Sequence, residues 1–351
     1  MLRIEGSGLG RTTTDTPAVS LEITDFSRPD RLPRVTVVTC TYSKERMGDL
    51  LSLIGSLIEE DEGDIEFVLV VERAKEIVSA ALSLLSKSEM NAKIVFSLEP
   101  LGISMARNTG ISQSRGQYIA FIDDDAVVLP GWKKHLIEDF EENEDIIGVV
   151  GRVEPVWERD EDKWFPSEFY WMIGCSAWRG LTGKKVIRFG WGVNMCFRKF
   201  VFQETKFRSG FSAGAGELGK TGPVGDDTDF CYRVVEATGM GLLYDPMVVV
   251  AHKVYNYRVT PQFTAKYAFW QGYTEAMFAF GRAASARSEP RTYITVRIVR
   301  GLLPSLLTDL CHGKKEGLLK LRLLVHSLFF FSAGFVSYNS SRLPRFFSVL
   351  L

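Results

Sequence analysis

The sequence predicts an α/β fold with a mainly parallel central sheet, helices flanking that sheet, and a helical C-terminal extension. From Arg34 onward, short β-branched apolar runs alternate with amphipathic helical segments. The runs are apolar on both faces, which is typical of parallel strands covered by helices. Beyond residue 256 the pattern is helical and aromatic. With 351 residues, of which 46% are hydrophobic and 24% charged, the chain can bury a large core and is too polar for a multi-span membrane protein.

The first half of the chain alternates strand and helix in a regular order. Its predicted strands cover residues 34–42, 65–72, 92–98 and 117–123. Its predicted helices cover residues 45–60, 75–88 and about 101–116. The first of these helices is indicated by Leu50, Leu53 and Leu57, which recur at helical spacing. This βαβ order favours a sheet whose ligands gather beyond the carboxyl ends of the strands.

The second half is less regular, and three regions are predicted overall. Strand-like pieces lie at residues 146–153, 185–197 and 247–255, with a Gly-rich loop at 211–227 and a helix from about Asp227. Residues 1–33, rich in Thr, Ser, Gly, Asp and Pro, are interpreted as a tail or surface arm. The sheet domain then covers 34–255, and the helical region covers 256–351.

The charge is distributed unevenly along the chain. Residues 256–351 hold 13 Lys and Arg against 4 Asp and Glu, whereas the whole chain has a net charge of −1. A basic region of this kind suits anionic lipid headgroups, phosphates or nucleic acid, or is a solvated face. The uncharged run between His326 and Arg342 has 15 residues, fewer than the roughly 20 that span a bilayer, which predicts a buried or interfacial helix.

Cysteine usage and the N-terminus favour the cytosol. The five cysteines include no CxxC pair, so neither a zinc cluster nor a disulfide framework is indicated. The first 20 residues lack the unbroken apolar core of a signal peptide, which argues against export by that route.

Three aspartates follow the predicted strand in "YIAFIDDDAVV". Asp123 and Asp125 are expected on one face of the strand end, with Asp124 on the other, because strand side chains alternate. Two converging carboxylates predict a site for Mg²⁺ or Mn²⁺, ions that often complete their shell with substrate phosphates. The alternative is a capping or turn cluster, since Asp favours both places.

The motifs "VTVVTCTY", "GISMARNTGISQSRGQYIAFIDDD", "GWGVNMCFRK" and "GDDTDFCYR" occur in an order that resembles the family 2 glycosyltransferases. The resemblance covers roughly residues 34–255. It implies a GT-A fold and an inverting hexosyltransferase that uses a nucleotide-diphosphate sugar and a divalent metal, Mn²⁺ or Mg²⁺. A UDP-sugar is expected as donor in preference to a GDP-sugar.

The resemblance assigns donor-side roles by position. Thr39 and Tyr42 bound the segment that lines the base and ribose, and Glu72 takes the place of a base-contacting carboxylate, although "ERAKE" departs from the usual Asp-Gly-Ser pattern. The remaining donor-binding residues are Arg107, Asn108, Asp123 and Asp124. Metal ligands are expected to be Asp123, Asp125 and His252.

The resemblance also assigns the acceptor side. Asp227 is expected to be the general base that takes the acceptor hydroxyl proton, with Asp226 in the place of the family's Glu. Trp191, Gly192 and Asn194 resemble the wall between donor sugar and acceptor. The alternative for the two acids is helix capping, which their position also permits.

The basic, aromatic C-terminal region predicts docking on an anionic membrane, at the cytoplasmic face of the cell membrane, and an acceptor that is a glycan or a polyprenyl-linked glycan. No nucleic-acid partner is expected. Two other functions are compatible with the fold. A sugar-phosphate nucleotidyltransferase would need a Gly-rich loop after the first strand, which "TCTYSKERMG" lacks. A non-catalytic sugar or lipid-binding module would not need the acids Asp123, Asp125 and Asp227.

Overall fold

The computed structural model describes residues 21–28, 32–178, 181–211, 222–280 and 298–338. These residues form a ten-stranded sheet flanked by helices, which confirms the predicted α/β class. The strands are β1 (Leu21–Asp25), β2 (Val35–Thr41), β3 (Ile65–Glu72), β4 (Asn91–Ser97), β5 (Tyr118–Ile122), β6 (Ala126–Val128), β7 (Ile146–Trp157), β8 (Lys185–Ile187), β9 (Asn194–Arg198) and β10 (Gly241–Val254). The helices are α1 (Met47–Glu60), α2 (Lys75–Leu85), α3 (Ile103–Gln113), α4 (Trp132–Glu142), α5 (Asp226–Thr238), α6 (Pro261–Phe280), α7 (Leu303–Cys311) and α8 (Lys315–Ser337).

The sheet is mixed, with a parallel half and a more varied half. Its order is β1-β4-β3-β2-β5-β9-β7-β10-β6, and β8 pairs with β10. Strands β4, β3, β2 and β5 are parallel, as the alternating first half of the sequence predicts. Strand β9 then runs antiparallel between β5 and β7, while β7 and β10 are parallel. The carboxyl ends of β2, β3 and β5 therefore meet at one edge.

The core has two layers because successive strand side chains point to opposite faces of the sheet. Strand β3 is buried along its whole length. It contributes Phe67, Leu69 and Val71 to the layer that contains the apolar face of α1. Its Val68 and Val70 pack in the other layer, which contains the buried residues of α5. A sheet covered on both faces in this way leaves its strand ends as the place for a ligand.

Two predicted segments differ in detail from the structure. The arm predicted at residues 1–33 includes β1, which adds antiparallel to β4 at the edge of the sheet, and residues 1–20 lie outside the described part of the chain. The strand predicted at 185–197 is two strands, β8 and β9, because residues 188–193 leave the sheet and reach the cavity beyond it. Most of the Gly-rich loop, residues 212–221, also lies outside the description.

Helices α6 and α8 pack closely against each other. A Cβ atom added at Gly272 would lie 2.0 Å from the Phe331 carbonyl oxygen, and one at Gly334 would lie 1.8 Å from that of Phe269. Helix α8 begins at Lys315, well before the uncharged run that follows His326. Within the described residues it is the one helix that is long and apolar enough to cross a membrane, judged by length and composition alone. The 15-residue run judged too short to span a bilayer therefore overlaps only the second half of this helix.

Candidate active site

A cavity of about 320 Å³ lies beyond the carboxyl ends of β2, β3 and β5. The first turn of α5, the first turns of α6 and a short 3-10 helix, Ser167–Ile173, close its other side. Nine of the residues predicted from the sequence line it: Tyr42, Glu72, Arg107, Asp123, Asp124, Trp191, Gly192, Asp226 and Asp227. The fold therefore brings together side chains from four separate motifs.

Five predicted residues are not part of this lining among the described residues: the metal-ligand candidates Asp125 and His252, which are buried beside it, and Thr39, Asn108 and Asn194. Thr39 donates its hydroxyl to the Ile122 carbonyl and ties the end of β2 to β5. Asn108 bonds to both the backbone N–H and the carbonyl of Phe207. Asn194 accepts from the Trp132 indole and donates to the Val248 carbonyl. In this structure the polar atoms of these last three residues bond to the scaffold.

Asp123, Asp125 and His252 form the metal-ligand group. One donor atom from each lies within 4.8 Å of the other two. His252 Nε2 is 3.0 Å from Asp125 Oδ1, which is about the separation of two neighbouring ligands that are each about 2.1 Å from an octahedral ion. Two carboxylates and an imidazole form a donor set that suits Mn²⁺. The group thus fits a divalent cation.

The orientation of the His252 ring is set by residues on its Nδ1 side, away from Asp125. Its Nδ1 lies 3.6 Å from Cys175 Sγ, and both side chains are buried. Gly174 leaves the space that the ring needs: it has φ +76°, and a Cβ there would lie 2.9 Å from the imidazole carbon. A ring held at Nδ1 presents Nε2 toward the carboxylates.

Two arginines that the sequence interpretation missed complete this region. Arg258 donates to Asp125 Oδ2 at 2.8 Å, and Arg46 lies 3.5 Å from the same oxygen. Burial alone would raise the pKa of Asp125, but His252 and Arg258 hold it well below its usual range. The carboxylate is therefore ionised. Both arginines also line the cavity, so positive charge faces any anionic ligand there.

Asp124 anchors Arg46. It accepts from Thr41 Oγ1 at 2.6 Å and from Arg46 Nη1 at 3.0 Å. Burial raises the pKa of Asp124 to about 6, although Arg46 opposes the rise. The middle aspartate of the triplet thus faces the end of β2 and the residue before α1. Asp124 and Asp125 lie in a turn after β5, so both reach Arg46 and the strand alternation predicted for the triplet does not extend to them.

Asp227 is held at the N-terminus of α5 by backbone donors. The Gly192 N–H donates to Oδ2 at 2.9 Å, and the Thr228 N–H donates to Oδ1 at 2.7 Å. Its neighbour Asp226 pairs instead with Arg107, at 2.6 Å. Arg107 also lies 3.6 Å from Asp123, so it connects the two acidic groups across the cavity. Gly192 allows this approach, because a Cβ there would lie 2.4 Å from the guanidinium.

The end of the cavity nearest β3 is built around Glu72. Its Oε2 accepts from the backbone N–H groups of Leu101 and Gly102. Arg73, which also lines the cavity, has φ 61°, a left-handed conformation that is uncommon outside glycine. Backbone strain of this kind persists where the surrounding structure enforces it, often beside a ligand.

Aromatic rings from the 3-10 helix, residue 257 and the first turns of α6 form another part of the lining. The Trp171 and Tyr267 ring centroids are 5.8 Å apart, and those of Phe263 and Tyr267 are 6.0 Å apart. The ring centroids of Tyr257 and Phe263 are 5.6 Å apart. Aromatic faces suit the apolar CH surfaces of sugar rings. The cavity therefore extends past residue 255 into the predicted helical region.

A group with the donor set of a divalent-cation site, a second pair of acids at a helix start and a cavity beyond an α/β sheet are the features expected of a GT-A type of glycosyltransferase. The model of glycosyl transferase family 2 matches residues 36–206. A glucosyl-dolichyl phosphate glucuronosyltransferase of Haloferax volcanii is 31% identical over 243 residues, which are 69% of this chain and 76% of that protein.

Two further similarities extend this comparison. The succinoglycan biosynthesis protein ExoM of Rhizobium meliloti is 25% identical over 261 residues, 74% of this chain and 79% of that protein. The solved structure of the mannosyltransferase PcManGT of Pyrobaculum calidifontis, in complex with GDP-Man and Mn²⁺, has a TM-score of 0.55 and 15% identity, and 90% of each chain is covered. The chain belongs to glycosyl transferase family 2, and the predicted GT-A fold is confirmed.

Proposed function

We propose that the protein is an inverting glycosyltransferase that moves a sugar from a nucleotide-diphosphate sugar to a hydroxyl of a lipid-linked glycan. The observation that carries the proposal is the convergence of two acidic groups on one cavity. Asp123 of the metal-ligand group and the acids Asp226 and Asp227 line the same cavity, and Arg107 contacts both Asp123 and Asp226. Inversion requires a base on the face of the sugar opposite the departing diphosphate, which is the role proposed for Asp227.

Asp227 is the proposed general base. Its Oδ1 accepts from the N–H and the hydroxyl of Thr228, and its Oδ2 accepts from the Gly192 N–H and keeps a further lone pair for the acceptor. As the acceptor oxygen bonds to the anomeric carbon, its proton passes to Asp227, and the bond from that carbon to the diphosphate oxygen breaks. The nucleotide diphosphate leaves with the electron pair of that bond.

Asp123, Asp125 and His252 would hold the divalent metal, Mn²⁺ or Mg²⁺. When bound, such an ion neutralises charge that develops on the departing diphosphate. The chain adds its own positive charge through Arg46, which Asp124 orients, and through Arg258. Because both guanidinium groups are mostly buried, they act on the diphosphate with little screening by water.

Donor and acceptor occupy opposite ends of the cavity in this proposal. Tyr42 and Glu72 lie at the end for the nucleotide, with a UDP-sugar favoured over a GDP-sugar. Trp191, Trp171 and Tyr267 lie at the end for the acceptor. The Haloferax relative is by name an enzyme of glucosyl-dolichyl phosphate, which supports a sugar linked to polyprenyl or dolichyl phosphate as acceptor. A lipid acceptor in turn supports a peripheral position on the cytoplasmic face of the membrane.

The test is a transfer assay on purified protein with UDP- and GDP-sugars, Mn²⁺ or Mg²⁺, and a glucosyl polyprenyl phosphate in detergent. We expect release of nucleotide diphosphate, a lipid product heavier by one sugar, and an inverted anomeric configuration by NMR. A retained configuration would refute the single-displacement mechanism. Synthesis of nucleotide sugar from a nucleoside triphosphate and a sugar phosphate would instead identify a nucleotidyltransferase.

A further inference from the structure

We infer that one face of α8 docks the protein on the surface of an anionic lipid bilayer. The face, termed here the α8 surface, consists of Leu318, Leu321, Val325, Leu328, Phe329 and Val336. All six side chains are exposed, and Val325 and Phe329 are each 60% exposed. Leu318, Leu321, Val325 and Leu328 follow at intervals of three or four residues. Phe329 lies four residues after Val325, and Val336 lies seven after Phe329, so all six form one stripe on one side of the helix. Exposed apolar surface of this extent typically marks an interaction site.

The opposite side of α8 faces the protein. Leu323, Leu324, Ser327, Gly334 and Ser337 are buried. Helix α8 therefore has two apolar sides: one packs in the core, and the other is exposed. Core packing accounts for the first side and leaves the second without an intramolecular role among the described residues.

Charge identifies the occupant as an anionic membrane. Helix α8 carries no Asp, Glu, Lys or Arg from Val325 to Ser337. Basic residues gather at the other end: Lys315 and Arg322 are exposed in the first turns of the helix, near Glu316, while Lys314 and Lys320 both pair with Asp309 of α7. A helix lying in the interface would place the basic end against anionic headgroups and the stripe at the acyl boundary.

The α8 surface lies close to the cavity. Ser327 Oγ, on the buried side of α8, is 3.9 Å from the sulfur of Met172, which lines the cavity. One helix diameter, about 10 Å, therefore separates the cavity wall from the surface that would touch lipid. The close α6–α8 contact at Gly272 and Gly334 keeps this spacing fixed. If the proposed function holds, a sugar attached directly to a membrane-anchored phosphate lies within reach of the aromatic part of the cavity lining.

The experiment measures binding of the full chain to vesicles of phosphatidylglycerol and phosphatidylcholine, without substrates. The double variant Val325→Glu/Phe329→Glu should lower the partition coefficient by at least about tenfold, because two apolar side chains no longer insert. The matched control is Val186→Glu/Phe200→Glu, at positions that are 67% and 50% exposed on other parts of the surface. It should bind within about twofold of the parent.

A third variant separates the electrostatic part. Arg322→Ala should weaken binding to anionic vesicles about fivefold and leave binding to pure phosphatidylcholine unchanged. Equal binding of the parent and the α8 double variant would overturn the proposal. So would light scattering that shows a parent dimer converted to monomer by the double variant, since the stripe would then be covered by a second copy.

Docking and catalysis are tested apart. Transfer to a short-chain, water-soluble acceptor should be the same in the parent and the α8 double variant, whereas transfer to acceptor in vesicles should fall with the partition coefficient. Vesicle binding that depends on the α8 surface, in a protein with no transferase activity on either acceptor, would support docking and refute the proposed function. Normal transfer to both acceptors, with vesicle binding that the α8 variants do not change, would support the proposed function and refute docking through the α8 surface.

Discussion

Arg107 Nη1 donates to Asp226 Oδ2 at 2.6 Å, and this buried pair joins α3 to the first turn of α5. Burial raises the pKa of Asp226, and Asp227 adds to the rise, while Arg107 opposes it. The next residue, Asp227, accepts hydrogen bonds from two backbone N–H groups and one hydroxyl among the described residues, and none of these donors is charged. The two adjacent acids thus have different partners. An Asp→Asn substitution made at each position in turn can therefore separate a role in stability from a role in transfer.

Asp226→Asn should reduce stability, whereas Asp227→Asn should reduce transfer. Removing the charge of Asp226 leaves Arg107 with only the longer contact to Asp123, and breaking a buried pair costs about 3 kcal/mol. Asp227→Asn should change the free energy of unfolding by less than about 1 kcal/mol and lower turnover at least about a hundredfold, with donor binding kept. Urea unfolding, calorimetric donor binding and nucleotide diphosphate release measure the three quantities. Turnover retained in Asp227→Asn would show that another group is the base.

Asp125→Asn should weaken binding of Mn²⁺ by at least about tenfold, because the variant loses a charged oxygen ligand of the metal-ligand group. Electron paramagnetic resonance of free Mn²⁺ measures this without substrate. Asp162→Asn is a matched control, since Asp162 is also a buried acid paired with an arginine but does not belong to the metal-ligand group. Equal Mn²⁺ affinity in the two variants would place the metal elsewhere.

The sequence predicted the parts of the site that are local. A buried strand followed by three acids placed Asp123 and Asp125 correctly at a strand end, and "GDD" before an amphipathic pattern placed Asp226 and Asp227 at a helix start. Arg46 and Arg258 carried no such signal. Their partner Asp125 lies 79 residues after the first and 133 before the second, so only the fold brings them together.

The same limit explains the contacts of Asn108 and Asn194. Each lies in a motif whose neighbours reach the cavity, yet Asn194 begins β9, where its side chain bonds across to β7 and β10. Strand alternation predicts that the side chains of adjacent residues point in opposite directions. It does not predict which of two adjacent side chains faces the cavity, because residues 188–193 are not in a strand. The direction of each side chain depends on the break between β8 and β9, and apolar periodicity alone did not predict that break.

A buried carboxylate pair away from the cavity predicts a pH-dependent stability. Asp139 and Asp245 are both fully buried and share Lys184, at 2.5 Å and 3.2 Å. Burial raises the pKa of Asp139 to about 6, with Asp245 adding to the rise and Lys184 opposing it. An unfolded aspartate ionises near pH 3.9, so between about pH 4 and 6 the folded protein binds a proton that the unfolded chain has released. This group therefore makes the folded state less stable as pH rises through that window, by about 2–3 kcal/mol at most.

Asp139→Asn removes that titration, and its amide can donate to the neighbouring carboxylate. The variant's free energy of unfolding, relative to the parent, should therefore increase from pH 4 to pH 7. Urea unfolding at several pH values measures the difference, which cancels the other titrating groups. A difference that stays constant across this range would mean that Asp139 ionises normally in the folded protein.

Gly334→Ala should destabilise the protein although alanine is the better helix former. Replacing a helical glycine by alanine gains about 1 kcal/mol in propensity. At Gly334 the new Cβ would lie 1.8 Å from the Phe269 carbonyl oxygen, so α6 and α8 must separate, and forced overpacking of this kind costs about 1–3 kcal/mol or more. Gly55→Ala, in α1 with nothing within 4 Å of the added Cβ, isolates the propensity gain. Thermal unfolding should therefore show a lower midpoint for the first variant and an equal or higher one for the second; a rise in both would mean that α6 and α8 are not in close contact in solution.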